Sequence, residues 1–375
     1  MKKIRTITFH SAYNYGANLQ AYALQEYIKE LAIEKGEDID FKIINLRTIK
    51  RDIEYDYSNK KIKGLIKNLL TKNSLVKKSK KFENFFAKYY MLTKEYKSND
   101  ELKIENFDNT YLISGSDQIW NIKTFDFDWS YWLDFSNTSI KISYAPSFGQ
   151  NKIEFTRDEE NKIKDSIMKY NYLSVRDVYS QNIIKKITGR ESIVLVDPTM
   201  LLSKEKWDRL IDKNKLIAEE YILVYLIQKG KNADKIYKEI NKYARKKNLK
   251  VVIITQNLKI DWKYNFIKKY DIATLEFLNL IKHAKLIITT SFHGTIFSIL
   301  FNKHFLCING DKDNRIKTLL ELTELEKQTI DIEKICDIDP NEKISFEASE
   351  NNIKKEIEKS KDFLIQSLNL NESNN

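Results

Sequence analysis

The chain has 375 residues, of which 42% are hydrophobic and 12% aromatic, so it can form buried cores and is not a largely disordered protein. Its 64 Lys and Arg residues outnumber 53 Asp and Glu, and the net charge of +11 favours anionic partners without specifying their kind. The length exceeds what one hydrophobic core usually supports, so we expect two domains.

The amino terminus and the cysteines indicate a cellular location. The first residues, Met-Lys-Lys-Ile-Arg, run directly into a strand pattern without a signal-peptide stretch, and no apolar run is long enough to span a bilayer. Cys307 and Cys336 cannot form a disulfide framework and lack the spacing of a zinc site. We therefore expect a cytoplasmic protein without a metal site.

The chain opens with a βαβ pattern. Residues 4–9 predict a strand, residues 10–18 its exit loop, and the apolar spacing from Leu19 to Leu31 a helix. A second strand is predicted at residues 41–46.

A basic insert of about residues 50–100 interrupts this pattern. Its segment 60–81 contains nine lysines and no acidic residue, interleaved with apolar residues that share one helix face. Two interpretations are open. The helix packs on its own domain with a solvated basic face, or it makes a peripheral contact with a membrane surface.

The remaining elements alternate between strands and helices. Further strands are predicted near residues 111–114, 140–146, 172–176, 193–196, 221–226, 251–255 and 286–290, and directly after His304. This alternation predicts an α/β fold with parallel sheets. Asp197-Pro198 marks a boundary, which gives an N-terminal domain of residues 1–197, a C-terminal domain of 198–345, and a final helix and tail of 346–375.

Ligands of open parallel sheets gather at the carboxyl ends of the strands, so the residues that follow each strand are the candidates for a site. The first two such groups are His10, Asn14, Gly16, Asn18 and Gln20, and then Ser114, Gly115, Ser116, Asp117 and Trp120. Their hydrogen-bonding side chains suit a carbohydrate. The same residues have structural alternatives: a locally bonded histidine for His10, a turn for Gly16, and a helix cap for Ser116 or Asp117.

Two further groups suit an anion. Arg176 ends a predicted strand, where its guanidinium offers two parallel donors to a phosphate or carboxylate, with a salt bridge as the alternative. The segment 286–298 predicts a strand, a polar corner and a helix whose first turn provides backbone N–H groups. This corner contains Ser291, His293, Gly294 and Thr295, and His293 is the leading catalytic candidate. His283 and His304 are interpreted as structural.

Several separated motifs together resemble the polysaccharide pyruvyl transferase family. They are Asn14-Tyr-Gly-Ala-Asn-Leu-Gln-Ala-Tyr-Ala-Leu24, Ser114-Gly-Ser-Asp-Gln-Ile-Trp-Asn121, Ser143-Tyr-Ala-Pro-Ser-Phe-Gly149, Ser174-Val-Arg-Asp177, Asp197-Pro-Thr199 and Ser291-Phe-His-Gly294. The resemblance implies two Rossmann-like domains facing each other across a GT-B-like cleft. It also implies phosphoenolpyruvate as donor, no cofactor, and a sugar or lipid-linked oligosaccharide of a capsule or exopolysaccharide as acceptor.

The resemblance also implies roles for individual residues. The family's anion-binding arginine corresponds to Arg176, and its histidine before the second-domain helix corresponds to His293. Together with the strand-end residues, this predicts donor binding at Arg176, Ser291, Gly294 and Thr295, and catalysis at His293, with His10 or Asp117 as base. Acceptor binding falls to Asn14, Gly16, Asn18, Gln20, Ser114, Gly115, Ser116 and Trp120. Some members have an arginine where this chain has Ser291, so either another cation, such as Arg315 or Lys303, substitutes for it, or the donor differs.

Three other functions stay open at this point. A glycosyltransferase that uses a nucleotide sugar has the same architecture, and the absent arginine is compatible with a catalytically silent glycan-assembly protein. Nucleic-acid binding through residues 60–81 ranks last, because no known nucleic-acid module accompanies that segment. If the basic segment contacts lipid, the protein would work at the inner face of the cell membrane.

Overall fold

A computed structural model describes residues 1–56, 67–149, 153–227, 231–254 and 263–370. The chain divides into two compact units. Unit 1 comprises the described residues within 1–56, 85–202 and 353–375, and unit 2 comprises those within 57–84 and 203–352.

Unit 1 contains a seven-stranded sheet in which every strand pair is parallel. Its strands are β1 Lys2–Ile7, β2 Ile39–Leu46, β3 Leu92–Tyr96, β4 Thr110–Ser114, β5 Ile140–Ser143, β6 Tyr172–Val175 and β7 Ile193–Val194. Their spatial order is β3-β2-β1-β4-β5-β6-β7, the strand order of a doubly wound Rossmann fold with one strand added at the end.

Unit 2 contains a six-stranded parallel sheet. Its strands are β8 Tyr221–Tyr225, β9 Lys250–Ile254, β10 Ile267–Lys269, β11 Leu286–Thr289, β12 Phe305–Ile308 and β13 Thr329–Ile330. The spatial order β10-β9-β8-β11-β12-β13 repeats that of unit 1. The predicted α/β class with two Rossmann-like domains is therefore confirmed.

Helices connect the strands. They are α1 Tyr15–Glu34, α2 Ile49–Tyr55, α3 Lys67–Tyr89, α4 Asn99–Lys103, α5 Arg157–Met168, α6 Val178–Thr188, α7 Lys204–Leu210, α8 Lys231–Lys247, α9 Thr274–His283, α10 Phe292–Leu300, α11 Asn314–Thr323 and α12 Glu347–Ser367. Short 3₁₀ helices lie at Trp129–Trp132, Pro198–Met200, Gly310–Lys312, Glu326–Gln328 and Ile332–Asp337. Within the basic insert, residues 57–66 lie outside the described residues, and Lys67–Tyr89 forms α3.

Local sequence explains where the principal helices begin. The Asn14 side chain accepts hydrogen bonds from the backbone N–H groups of Gly16 and Ala17 and so caps α1. Thr156 and Glu159 form a reciprocal capping box at α5, and Asp177 caps α6 through the N–H of Ser180. These caps fix the residue at which each helix begins after the preceding strand. The polar candidate residues lie at the ends of these strands.

Aromatic packing defines the core of unit 1. Trp120 and Trp132 are fully buried and stack with ring centroids 4.6 Å apart and an interplanar angle of 9°. Phe148 packs against both indoles at 5.8 and 5.9 Å. These contacts hold the loop after β4 against the sheet, so that loop forms a rigid wall beside the strand ends.

Candidate active site

Each sheet has one point where its strand order reverses, between β1 and β4 in unit 1 and between β8 and β11 in unit 2. In open parallel sheets this is where ligands bind, beyond the carboxyl ends of the strands. His10 and Asp117 follow β1 and β4, whereas Ser291 and His293 follow β11. The two predicted groups thus lie at the switch points of two different sheets.

His10 is enclosed in unit 1, with 1% of its surface exposed. Its Nδ1 lies 3.2 Å from the Thr8 carbonyl oxygen and its Nε2 3.1 Å from Asn45 Oδ1. Burial lowers the pKa of His10 to about 4, and the charges of Arg47 and Arg51 act in the same direction. The imidazole is therefore neutral near pH 7 and closed off from solvent, and its catalytic role stays a prediction without structural support.

The predicted acceptor residues of α1 make hydrogen bonds within their own unit. Asn14 and Gly16 form the cap of α1. Asn18 Nδ2 donates to the carbonyl oxygens of His10 and Ala12, at 2.9 Å each. Gln20 is fully buried, donates to Thr8 Oγ1 at 2.9 Å and accepts from the Ser116 N–H at 3.1 Å. These bonds tie the start of α1 to the ends of β1 and β4.

The predicted acceptor residues after β4 also make their hydrogen bonds within unit 1. Ser114 Oγ donates to the Tyr131 carbonyl at 2.6 Å and accepts from Trp120 Nε1 at 3.0 Å, while Ser116 Oγ donates to the Ala145 carbonyl at 2.6 Å. Gly115 has φ +140°, and a Cβ there would lie 2.0 Å from a backbone oxygen of Tyr144. The turn therefore requires glycine. These residues shape the strand end, and contact with an acceptor stays a prediction.

Arg176 lies between two carboxylates. Its guanidinium donates to Asp197 Oδ2 at 2.7 Å and lies 3.4 Å from Asp117 Oδ1, and the Arg176 and Asp197 side chains are 1% and 0% exposed. Asp197 Oδ1 also accepts from the backbone N–H and the hydroxyl of Thr199. The ion-paired arrangement that the sequence left open is present, and donor binding by Arg176 is untested.

The polar corner of unit 2 is built by hydroxyl groups around the start of α10. Ser291 Oγ accepts from the Gly294 N–H at 3.2 Å, and Thr295 Oγ1 donates to the Ser291 carbonyl at 3.0 Å. Thr289 Oγ1 accepts from the Ser291 N–H at 2.9 Å and donates to the Tyr225 carbonyl at 2.8 Å. A Cβ at position 294 would lie 2.6 Å from Thr289 Oγ1, so glycine permits this close packing.

His293 lies in the first turn of α10 and is 8% exposed. Its ring meets the Phe292 ring edge-on at 5.3 Å, and the Arg315 guanidinium lies 5.6 Å from the Phe292 centroid. Arg315 donates from Nε and Nη2 to the two oxygens of Asp313, at 3.0 and 2.7 Å. Burial opposes ionisation of Asp313, but the charge and hydrogen bonds of Arg315 hold the pKa of this carboxyl below its ordinary value.

The two cations considered as substitutes for the missing arginine occupy different places. Arg315 lies in the first turn of α11, which follows β12 after a short 3₁₀ helix, and its guanidinium contacts Phe292 next to His293. Lys303 follows the opposite end of α10, where its N–H bonds to the Ser298 carbonyl. Of the two, Arg315 is the one beside the predicted donor corner.

Sequence reasoning missed three residues at the edge of the unit 1 sheet, namely Asn45, Arg51 and Asp126. Asn45 holds His10, whereas Arg51 and Asp126 line a cavity beyond β1 and β2. The predicted candidates follow β1, β4, β6 and β11, and none of them follows β2. Applied to β2, the rule that ligands gather at the carboxyl ends of strands leads directly to Arg51 in α2.

Two negative findings apply to the described part of the chain. None of its helices is long and apolar enough to cross a bilayer. Within the same ranges, no group of three or more His, Cys, Asp or Glu side chains is arranged to hold a metal ion.

The fold resembles that of several nucleotide-sugar epimerases. The UDP-GlcNAc 2-epimerase of Methanocaldococcus jannaschii matches with a TM-score of 0.52 and 14% identity, over 94% of this chain and 98% of that one. A UDP-N-acetylglucosamine 2-epimerase of Listeria monocytogenes, itself a provisional assignment, matches with a TM-score of 0.50 and 12% identity, over 98% and 91%. The molecule is thus a GT-B-like α/β protein with two Rossmann-like domains.

The family follows from a comparison with family models. Residues 14–312 match the model of the polysaccharide pyruvyl transferases. The chain belongs to this family, and it is a transferase. No curated protein sequence matches it significantly.

Proposed function

We propose that this protein transfers a pyruvyl unit from phosphoenolpyruvate to two hydroxyl groups of one sugar, forming a cyclic ketal. The sugar would belong to a bacterial surface polysaccharide, such as a capsule or exopolysaccharide, or to its lipid-linked precursor. The observation that carries the proposal is the match to the pyruvyl transferase family across residues 14–312, which includes Asp117 and Arg176 of unit 1 and the Ser291–Thr295 corner of unit 2. The reaction would take place in the cytoplasm, at the inner face of the membrane if the acceptor is lipid-linked.

The corner at the start of α10 supports a donor site. Backbone N–H groups of a helix's first turn attract anions, and phosphoenolpyruvate carries a phosphate and a carboxylate. His293 lies in this turn, and Arg315 adds a guanidinium 5.6 Å from the centroid of the neighbouring Phe292 ring. We assign donor binding to this corner, with His293 as the proton donor to the methylene carbon.

The bonds and protons of the proposed reaction balance without a cofactor. His293 gives a proton to the methylene carbon, and the first sugar hydroxyl adds to the neighbouring carbon as a base takes its proton. The carbon–oxygen bond to phosphate then breaks. The second hydroxyl adds to the same carbon, closes the ketal, and loses its proton to a base or to the departing phosphate.

Donor binding is the first test, because it needs no knowledge of the acceptor. Phosphoenolpyruvate is titrated calorimetrically into the wild type, His293→Asn and His283→Asn. We expect saturable binding to the wild type, about tenfold weaker binding to His293→Asn because a charge-assisted contact is lost, and no change in His283→Asn. His283 is a matched control because it ends α9 in the same unit.

The outcomes separate the alternatives. A wild type that binds UDP-GlcNAc but not phosphoenolpyruvate would be a nucleotide-sugar transferase instead. Binding of neither would indicate a catalytically silent member of the family. If His293→Asn binds phosphoenolpyruvate like the wild type and supports full phosphate release with an acceptor, the role of His293 is wrong.

A further inference from the structure

A small cavity lies at the carboxyl ends of β1 and β2 in unit 1. Its polar lining consists of Ser11, Thr48, Arg51 and Asp126, and the rings of Phe9 and Tyr131 form apolar walls. The cavity volume is about 10 Å³, which is room for one water-sized group. It is thus too small for a whole sugar but matches a single hydroxyl that enters from outside.

Arg51 is held firmly at this cavity. Its Nε and Nη2 donate to the Ser11 carbonyl at 3.0 and 2.6 Å, and its Nη1 donates to Asp52 Oδ1 at 3.0 Å. The guanidinium also lies over the rings of Tyr13 and Tyr55, at 5.1 and 5.2 Å from their centroids. A cation fixed in this way is a preorganised donor, because little side-chain entropy remains to be lost on binding.

Asp126 places a carboxylate, with a charge opposite to that of Arg51, at the same cavity. It is half-buried, and it forms no ion pair with any residue that the structure describes. Burial raises the pKa of Asp126 to about 6; the charge of Asp117 adds to this effect, while the Asp126 backbone N–H and Lys50 oppose it. Asp126 therefore carries a negative charge near pH 7 and offers an acceptor beside the fixed donor Arg51.

This pair of opposite charges selects a hydroxyl. A hydroxyl donates one hydrogen bond and accepts another, so it satisfies a carboxylate and a guanidinium at once. An anion in so small a space would be repelled by Asp126, and a cation by Arg51 and Lys50.

We propose that Arg51 and Asp126 form a binding subsite for one hydroxyl of the acceptor sugar, an assignment that rests on the proposed pyruvyl transfer. The hydroxyl donates to Asp126 and accepts from Arg51, while the sugar ring stays outside the cavity against its rim. The subsite fixes which face of the sugar is presented. It assigns acceptor contact to side chains that the structure leaves beside a cavity, rather than to residues such as Asn18 and Gln20 that are bonded internally.

The test measures sugar binding directly. Methyl glycosides of glucose, galactose and mannose are titrated against the wild type by saturation-transfer NMR, and the same titrations are made with Asp126→Asn, Ala12→Leu and Asp108→Asn. We expect at least one glycoside to bind the wild type, with about tenfold weaker binding to Asp126→Asn because a charge-assisted hydrogen bond is lost. Ala12→Leu fills the cavity and should also weaken binding, whereas Asp108 is exposed and serves as control.

Circular dichroism and the unfolding midpoint of each variant show that the fold is intact. Asp126→Asn is a mild change, and the proposal can be judged on this variant alone if Ala12→Leu does not fold. The subsite is wrong if no glycoside binds the wild type up to its solubility limit. It is also wrong if Asp126→Asn binds as tightly as Asp108→Asn.

The same samples are titrated with phosphoenolpyruvate, so the two proposals can fail separately. If the protein binds phosphoenolpyruvate and Asp126→Asn binds glycosides as tightly as the wild type, the subsite is wrong and the proposed function stands. Glycoside binding that depends on Asp126, without any binding of phosphoenolpyruvate, overturns the proposed function and leaves a sugar subsite in a different transferase.

Discussion

Arg176 balances two carboxylates in the interior of unit 1, so its first role is electrostatic. Asp197 is fully buried and Asp117 is 6% exposed. Removing the guanidinium leaves two buried negative charges next to each other. We expect Arg176→Met to lower the free energy of unfolding by about 3–5 kcal/mol, as is typical when one partner of a buried ion pair is lost. Urea unfolding measures this change.

Two further variants make the Arg176 measurement decisive. Arg157→Met removes an exposed arginine at the start of α5 and should change the unfolding free energy by less than about 0.5 kcal/mol. Adding Asp197→Asn to Arg176→Met removes one of the uncompensated charges and should recover part of the loss. An Arg176→Met variant as stable as Arg157→Met would contradict the electrostatic role.

Lys141 is a buried cation within a strand, and the free energy by which its charge destabilises the fold depends on pH. It is 3% exposed on β5, and its Nζ has no hydrogen-bond partner among the described residues. Burial lowers the pKa of Lys141 to about 8, Lys169 acts in the same direction, and Asp134 opposes the shift. The folded state therefore releases the proton more easily than the unfolded state does, so the charged lysine destabilises the fold below pH 8.

We expect Lys141→Met to raise the free energy of unfolding at pH 7 by about 1–3 kcal/mol. The unfolded chain binds more protons between pH 8 and the ordinary lysine value of 10.5, so wild-type stability rises in this window relative to the variant. The gap between the two proteins should be constant below pH 8 and shrink above it. A gap that does not change with pH would show that packing, and not charge, distinguishes them.

At the residue scale the sequence indicated which side chains stand at strand ends, but not how their hydrogen bonds are used. Asn18, Gln20 and Ser114 were reasonable sugar contacts by residue type. The structure instead bonds them to backbone groups and hydroxyls of their own unit. The backbone N–H of Ser116, for example, lies about 100 residues from its partner Gln20 in sequence. Such pairings depend on the register of strands that are distant in the chain, which a single sequence does not reveal.

At the element scale the hydrophobic pattern predicted the strands well. The runs predicted at 172–176, 221–226 and 286–290 correspond to β6, β8 and β11 with ends that agree within a residue, whereas the run predicted at 140–146 begins with β5 and extends three residues beyond its end. Strands of parallel sheets are buried on both faces and therefore read as short continuous apolar runs. The weakly apolar edge strands β3, β10 and β13 were not predicted, because their residues are mostly half-exposed and lack such a run.

The strand-turn-helix element of β11 and α10 was the clearest functional prediction, and local chemistry explains why. Its apolar strand, its cap and its close-packed glycine lie within ten residues, so the sequence contains the whole element. The cavity at Arg51 and Asp126 is the opposite case. It joins the exits of β1 and β2 to the loop after β4, and only the assembled sheet brings these three segments together.

At the scale of the whole molecule, the carboxyl-terminal part of α12 belongs to unit 1, although unit 2 precedes it in sequence. Leu364 and Leu368 are fully buried there, Phe363 packs near the Tyr144 ring at 6.4 Å, and Lys361 pairs with Glu34 of α1 at 2.7 Å. Each large apolar side chain buried in this way contributes about 1.5–3 kcal/mol. A chain that ends at residue 352 should therefore lose several kcal/mol of stability in unit 1 alone.

Hydrogen exchange tests this prediction. In the chain that ends at residue 352, amides of β1 and β5 should exchange much faster, whereas those of β8 and β11 should not change. A chain that ends at residue 370 should behave as the wild type. Equal loss of protection in both sheets would mean that the two units unfold as one cooperative structure, whereas no loss in β5 would mean that the helix contributes little to unit 1.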